Sequence, residues 1–345
     1  MNINIKSFLL ILFVEKIFYK KTMVFDIENY LDSLPKDTLE INVNYKNISY
    51  LPDLTRFTNL KILKCSNNKL KYLHILPKTL EELNCSYNLL DDLPRLPDTL
   101  TELYCTMNNL TNLPTLPKNL IYLSCNHNKI IYLPTLPENL IKLSCSGNKL
   151  TYISTLPKKL KKLSCIENKL ISLPIELPET LEEICCSINK LTYLPPLPKN
   201  LIHLSCDHNK IIDLPILPEK IDFLDCSDNE LIYISALPKN LRVLFCGDNI
   251  LTSLPILPEN LEEIDCSYNI IYDIVNNNDL NIVKKNINIM NNFRHLYHCI
   301  KFRSQFRKYL WEKVREPKIV KKYDPKYLLE HLGDDTDLDT VLNEW

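Results

Sequence analysis

LPKNLIYLSCNHNKIIYLPTL, residues 116–136, reduces to the frame LPxxLxxLxCxxNxLxxLPxL, and the same frame runs through most of the chain. Its cysteine recurs at Cys65, Cys85, Cys105, Cys125, Cys145 and Cys165, then at Cys186, Cys206, Cys226, Cys246 and Cys266. A fixed period of about twenty residues is the mark of a stacked repeat array. Three residues after each cysteine stands an asparagine: Asn68, Asn88, Asn108, Asn128, Asn148, Asn168, Asn189, Asn209, Asn229, Asn249 and Asn269. The single longer step, from Cys165 to Cys186, is explained by one extra residue in IELPET (Ile175 to Thr180), which belongs in the outer turn.

Within LxxLxC the leucine and cysteine two apart, such as Leu123 and Cys125, have the alternation of a strand with one buried face. So short a strand cannot bury that face alone, so it must stack on copies of itself into a parallel sheet. The prolines of LPxLP lack a donor and favour an extended return on the outer side, where a period of about 20 residues leaves no room for a long helix. Each asparagine sits where the chain leaves the strand, and its amide can bond the backbone of its own and neighbouring turns. These asparagines are structural, since chemistry needs one site and not one per turn.

The frame closely resembles leucine-rich repeats, in particular the short repeats LPxLPxxLxxLxVxxNxL of effectors secreted by enteric bacterial pathogens. The resemblance covers about residues 51–275, and the departure is cysteine where that family prefers valine or another aliphatic residue. Cysteine-bearing repeats with this proline pattern also resemble leucine-rich proteins of giant DNA viruses of the mimivirus type. The resemblance implies an α/β repeat solenoid: right-handed, with a parallel sheet on the concave face, an extended, polyproline-like convex side and a helical C-terminal cap. Related effectors sometimes carry a large C-terminal ubiquitin-ligase domain with a catalytic cysteine. Only about 70 residues follow the repeats, so that domain is not expected, and Cys299 is no substitute for it.

A repeat array grows its core linearly, so 345 residues fit one solenoid with appendages. A net charge of −1 argues against a nucleic-acid binder. Thirteen cysteines would suit a disulfide scaffold, but such scaffolds space them irregularly in loops. Here they fall once per turn on the buried face, as reduced apolar filler, which implies a reducing compartment, the cytoplasm. No metal is expected, because the CxxC pairs and mixed histidine ligands of zinc sites are absent. Cys185 is expected to face solvent, and it and Cys299 are the candidates for reactive thiols.

At the ends the pattern degrades. Residues 1–33 read as a leader and cap, with Met23 as a second candidate start. The apolar run Phe8 to Val14 is too short to span a bilayer, so no stable membrane insertion is expected. Residues 34–275 form about twelve turns, the first carrying Val43 in the cysteine place and Lys46 in the asparagine place. Residues 276–345 read as a polar junction (Asn276 to Asp279), a basic helix over Phe293–Glu316 closed by Pro317, and an acidic helical tail. From Phe293 to Lys322 ten Lys or Arg stand against two Glu, whereas Tyr323 to Trp345 carries seven acidic residues against one Lys.

With the framework structural, specificity falls to the solvent-facing positions beside each cysteine. The candidate partner-binding residues are Tyr87, Tyr104, Tyr122, His127, His203, Asp207, Phe223, Asp225, Phe245 and Asp265, with a small hydroxylic middle around Ser144 and Ser164. Aromatics beside acids favour a protein partner, a basic one fitting best, and disfavour phosphate backbones. His203, His208, Asp207 and Asp228 could be cast as a metal or acid–base site, but no phosphate loop or nucleophile motif accompanies them. The expectation is a non-enzymatic, cofactor-free interaction scaffold of undetermined oligomeric state. The alternative is an adaptor or effector of the ubiquitin pathway or another enzyme system, acting through its C-terminal segment.

Overall fold

A computed structural model describes residues 25–271, 279–301, 303, 307–308 and 311–318. Twelve three-residue strands lie in one parallel sheet in chain order: β1 (Glu40–Asn42), β2 (Ile62–Lys64), β3 (Glu82–Asn84), β4 (Glu102–Tyr104), β5 (Tyr122–Ser124), β6 (Lys142–Ser144), β7 (Lys162–Ser164), β8 (Glu183–Cys185), β9 (His203–Ser205), β10 (Phe223–Asp225), β11 (Val243–Phe245) and β12 (Glu263–Asp265). Each strand pairs position for position with its copy one turn on, so like residues form straight columns. The central residue of the strand and the cysteine two places later point inward. Leu143 and Cys145, like their equivalents through most of the array, are fully buried. The extra residue falls in a bend at Ile175–Glu176 on the outside, with Ile175 exposed, and the β7–β8 register is undisturbed.

The asparagine column closes the backbone. Asn128 donates from Nδ2 to the carbonyls of Cys105 (3.0 Å), Cys125 (3.1 Å) and Asn126 (3.1 Å), while its Oδ1 accepts the Leu110 N–H at 3.0 Å. The pattern repeats from Asn88 to Asn269. Each asparagine therefore completes the turn before its own. The first turn follows no other, so Lys46 can replace asparagine there, and Asn68 serves it by accepting from Lys46 and Ile48.

The cysteines have a polar role besides filling space. In several turns the thiol donates to the strand carbonyl of the next turn, as Cys145 does to Ser164 at 3.4 Å, on the same oxygen that accepts the Cys145 N–H at 2.8 Å. Valine fills this place but cannot make that weak bond. The twelve cysteines whose surroundings are described are all free thiols. Burial drives the column's thiols upward, Cys85 and Cys125 to about 12.

The outer side is extended and carries no helix in the described repeats. Its second proline does more than hold an extended chain. The carbonyl of Pro117 accepts the Leu120 N–H at 3.1 Å, and this turn recurs ahead of the strands from Pro77 to Pro258. Within it, Thr or Asn reaches back one turn: Thr99 donates to Lys78 and Leu80, and Asn119 to Asp98. This second, outer ladder alternates among Thr, Asn and Lys, so no single letter marks it in the sequence.

Two residues after each cysteine the backbone is left-handed, with φ near +50° to +64° from Asn67 to Tyr268, and only Gly147 is a glycine there. A Cβ at Gly147 would also run into the His127 ring. Ile188 (φ 52°) is the β-branched member, and αL costs such a side chain about 1–2 kcal/mol. Ile188→Asn is expected to stabilise the chain by about 1 kcal/mol, read as a higher urea midpoint at unchanged slope. An unchanged or lower midpoint would show that no strain is held there.

A short helix, α1 (Ile27–Asp32), precedes the first strand and is capped by Asp26, whose Oδ1 accepts the Asn29 N–H at 3.1 Å. It buries Ile27 and Leu31. At the other end the helix expected from Phe293 begins much earlier, as α2 (Leu280–Lys301). Asp279 caps it, its side chain accepting from Asn281 at 2.8 Å. Asn281, Asn286, Asn288, Asn291 and Asn292 lower helix propensity and disguise the pattern, yet Val283 and Ile287, four apart, are buried. Nor does Pro317 terminate helix: residues 316–318 are helical, directly after a π-helical turn at Trp311–Arg315. Such widening eases the crowding of a proline that has no N–H to give. Two compact units divide the chain, one ending at Val283 and one starting at Lys284. Residues 1–24, the helix expected after Asp324 and the acidic tail lie outside the described residues, as does the side chain of Cys299.

Candidate functional site

The first and third residues of every strand stand on the open face of the sheet, joined by the two residues after the cysteine. Tyr122, His203 and Phe223 take the first strand position, and Tyr104, Asp225, Phe245 and Asp265 the third. Asp207 follows a cysteine directly, while Tyr87 and His127 occupy left-handed positions. The structure does not gather these residues into one site. Strands stack at ~4.8 Å, so β5 and β9 are about 19 Å apart. Between them lie Lys142, Lys162 and the serines.

In the upstream group Tyr104 donates to Glu102 at 2.7 Å. Burial and that carboxylate raise its phenol. Tyr87 is exposed, and His127 lies against Gly147. The middle is laced by hydroxyls: Ser144 donates to Asn126 at 2.9 Å, and the Ser146 and Ser164 hydroxyls meet at 2.8 Å. Lys162 and Glu183 pair at 2.7 Å, which holds the Glu183 carboxyl below its ordinary value.

Downstream, Phe223 stacks on His203 with ring centroids 4.2 Å apart and planes 7° from parallel, and meets Phe245 edge-on at 5.8 Å. Beside these rings Asp207 accepts from Ser205 at 2.9 Å and from Ser187. His208 lies between Asp207 Oδ2 (3.0 Å) and Asp228 Oδ2 (3.2 Å). Both imidazole nitrogens are thus engaged by carboxylates, and the serines bond Asp207, so no serine–histidine pair is set up for nucleophilic attack. Burial raises Asp225, partly offset by the Ser227 N–H it accepts, with Asp207 adding to the rise.

Cys185 is half-buried at the third position of β8, as its place next to Cys186 implies. Its expected reactivity is corrected by its surroundings: burial, then Glu183, push the thiol to about 11, leaving little thiolate at neutral pH. Among the described residues no group of three or more His, Cys, Asp or Glu is placed to hold a metal, and no helix is long and apolar enough to cross a membrane.

A second surface went unread in the sequence. Tyr72, Tyr132, Tyr152, Tyr193 and Tyr233 recur seven residues after their cysteines and are about half exposed where the chain leaves the sheet. The signal was present as the repeated tyrosine ahead of LP or IS in segments such as IIYLP and LTYIS.

No protein-family model matches the sequence, and no curated protein matches it. Solved structures do. YopM from Yersinia enterocolitica is 38% identical with a TM-score of 0.66, the match covering 68% of this chain and 52% of that one. The chain thus spans about half the length of that relative. A leucine-rich repeat protein of Leptospira interrogans is 27% identical (TM-score 0.55), covering 68% of this chain and 67% of its own. The leucine-rich repeat domain of APL1B, 18% identical with a TM-score of 0.57 over 78% of this chain and 87% of that one, shows the fold alone. Leucine-rich repeat folds are in general scaffolds for contacts between proteins, through their extended open faces. Repeat, sheet and likeness agree, and the chain is a leucine-rich repeat protein.

Proposed function

We propose that the chain is a non-enzymatic interaction scaffold of the cytoplasm, binding a protein partner on the strand face of its solenoid. One observation carries this reading. Framework side chains are consumed by the core and the asparagine ladder, whereas the strand-face positions change from turn to turn and present aromatics to solvent. Tyr, Phe and His on an open face are the residue types that anchor protein contacts. The reduced cysteine column supports the compartment.

The test is capture from host-cell lysate with the full chain and its Tyr104→Ala/Tyr122→Ala/Phe223→Ala variant. Loss of at least about ten-fold in retained partner is expected, since anchor residues cost ≥2 kcal/mol each when truncated. Undiminished capture would place binding elsewhere, with the tyrosine flank as the next surface to vary. For the compartment, thiol labelling of denatured protein from cells should be nearly complete without prior reduction. Extensive protection would overturn the cytoplasmic assignment.

A further inference from the structure

From β9 onward the open face changes character. Upstream, Glu40 pairs with Lys64 at 2.9 Å and Glu183 with Lys162 at 2.7 Å. Over β9–β12 the face bears Asp207, Asp225, Asp228, Asp248, Glu263 and Asp265, and no Lys or Arg occupies its strand positions or the two places after each cysteine. His208 serves Asp207 and Asp228. Asp225 and Asp265 make no ion pair among the described residues, and each accepts a backbone amide, from Ser227 at 3.1 Å and Ser267 at 2.9 Å.

The aromatics sit between these carboxylates. In register, Phe245 on β11 has Asp225 beside it on β10 and Asp265 beside it on β12. At ~4.8 Å between strands, each carboxylate is one strand from the ring. Phe223 abuts Phe245 edge-on, and His203 stacks behind it, so the rings continue toward β9. A ring flanked on both sides by unpaired carboxylates matches one side chain in particular. The arginine guanidinium lies flat on an aromatic face and carries five N–H groups in a fork, enough to engage two carboxylates at once. Lysine is a compact, strongly hydrated charge and gains less from the ring. The upward push on Asp225 is the state that an arriving cation would relieve.

We infer that the β9–β12 section of the face is the docking site for an arginine-bearing segment of a protein partner, with a guanidinium on Phe245 between Asp225 and Asp265. This deepens the scaffold reading and rests on it.

The test is fluorescence anisotropy on the full chain with three labelled Gly-Ser peptides of equal length, bearing spaced arginine, lysine or citrulline. The arginine probe is expected to bind about five-fold more tightly than the lysine probe, from the added stacking, and the citrulline probe not to bind. Asp225→Asn/Asp265→Asn should weaken the arginine probe by about ten-fold or more, while Glu82→Gln/Glu102→Gln on the upstream strands leaves it unchanged. Phe245→Leu should erase the preference of arginine over lysine. Equal binding of arginine and lysine probes, or equal loss from the upstream variant, would reduce the effect to general charge and overturn the inference. Should the double variant fail to fold by circular dichroism, Asp265→Asn and Phe245→Leu singly carry the test. If the arginine probe fails to bind while the Tyr104/Tyr122/Phe223 variant still loses its partner, the docking site is wrong and the scaffold stands. If the probe binds as expected while partner capture ignores the face, the scaffold reading fails instead.

Discussion

Raised from pH 8 to about pH 10 in the presence of reductant, the protein is expected to unfold over a narrow interval. The ten cysteines from Cys65 to Cys246 that stand in the column are fully buried, and burial lifts their thiols above the ordinary value, to about 12 for Cys85 and Cys125. An unfolded thiol titrates near 9 and a folded one far later. Below pH 9 both states hold their protons and the column is neutral in its effect. As pH rises above 9 the unfolded chain releases protons that the folded chain keeps, and stability falls. Each thiol contributes about 1.4 kcal/mol of destabilisation per pH unit, so the column together removes on the order of 10 kcal/mol by pH 10. That equals the whole stability of an ordinary domain. Circular dichroism against pH measures the midpoint, and Cys125→Val/Cys145→Val/Cys165→Val should move it upward and flatten the transition. A wild-type chain still folded at pH 11 would show that the column's thiols titrate without unfolding it.

Asn128→Ala is expected to destabilise by about 3 kcal/mol, a large cost for one polar side chain. The Leu110 N–H loses its acceptor inside a fully buried segment, and an orphaned buried amide costs roughly 1–3 kcal/mol. The carbonyls of Cys105 and Cys125 keep one asparagine each, from Asn108 and Asn148, so they are weakened and not orphaned. The truncated side chain also leaves a void. Urea denaturation checks the value. The matched control is Lys46→Ala, at the same repeat position in the first turn, which should change stability by less than about 0.5 kcal/mol. Equal effects at the two positions would mean that the asparagines act locally and not on the preceding turn.

How much of this was legible follows from how each feature is encoded. Leu123 and Cys125 alternate in every copy, so strand, buried face and period could be read directly. The extra residue at Ile175–Thr180 could be assigned outward because the columns on either side stay in step. The left-handed position was hidden, since Asn67, Met107, Glu167 and Ile188 share no property that marks positive φ. There the ladder imposes the backbone and the residue submits. α2 was misplaced because its start is written in asparagines, whose low helix propensity is overridden once Val283 and Ile287 find burial. For the face, composition named the residues but not their grouping. Asp225, Phe245 and Asp265 become neighbours only through strand register, which joins positions twenty residues apart.

Because each asparagine completes the turn before it, the array has a direction, like a zip whose teeth close only backward. Removing turns from the start leaves every remaining turn closed: the new first asparagine forfeits one distant acceptor and keeps two of its own. Removal from the end strips a turn of its successor and exposes an amide with nowhere to go. At the natural end this is met by a change of partner, the Ile271 N–H turning to the Leu251 carbonyl at 3.0 Å. Gain and loss of whole repeats should therefore be tolerated far better at the first turns than at the last, so the length of such a chain is free to drift from its beginning and is anchored at its close.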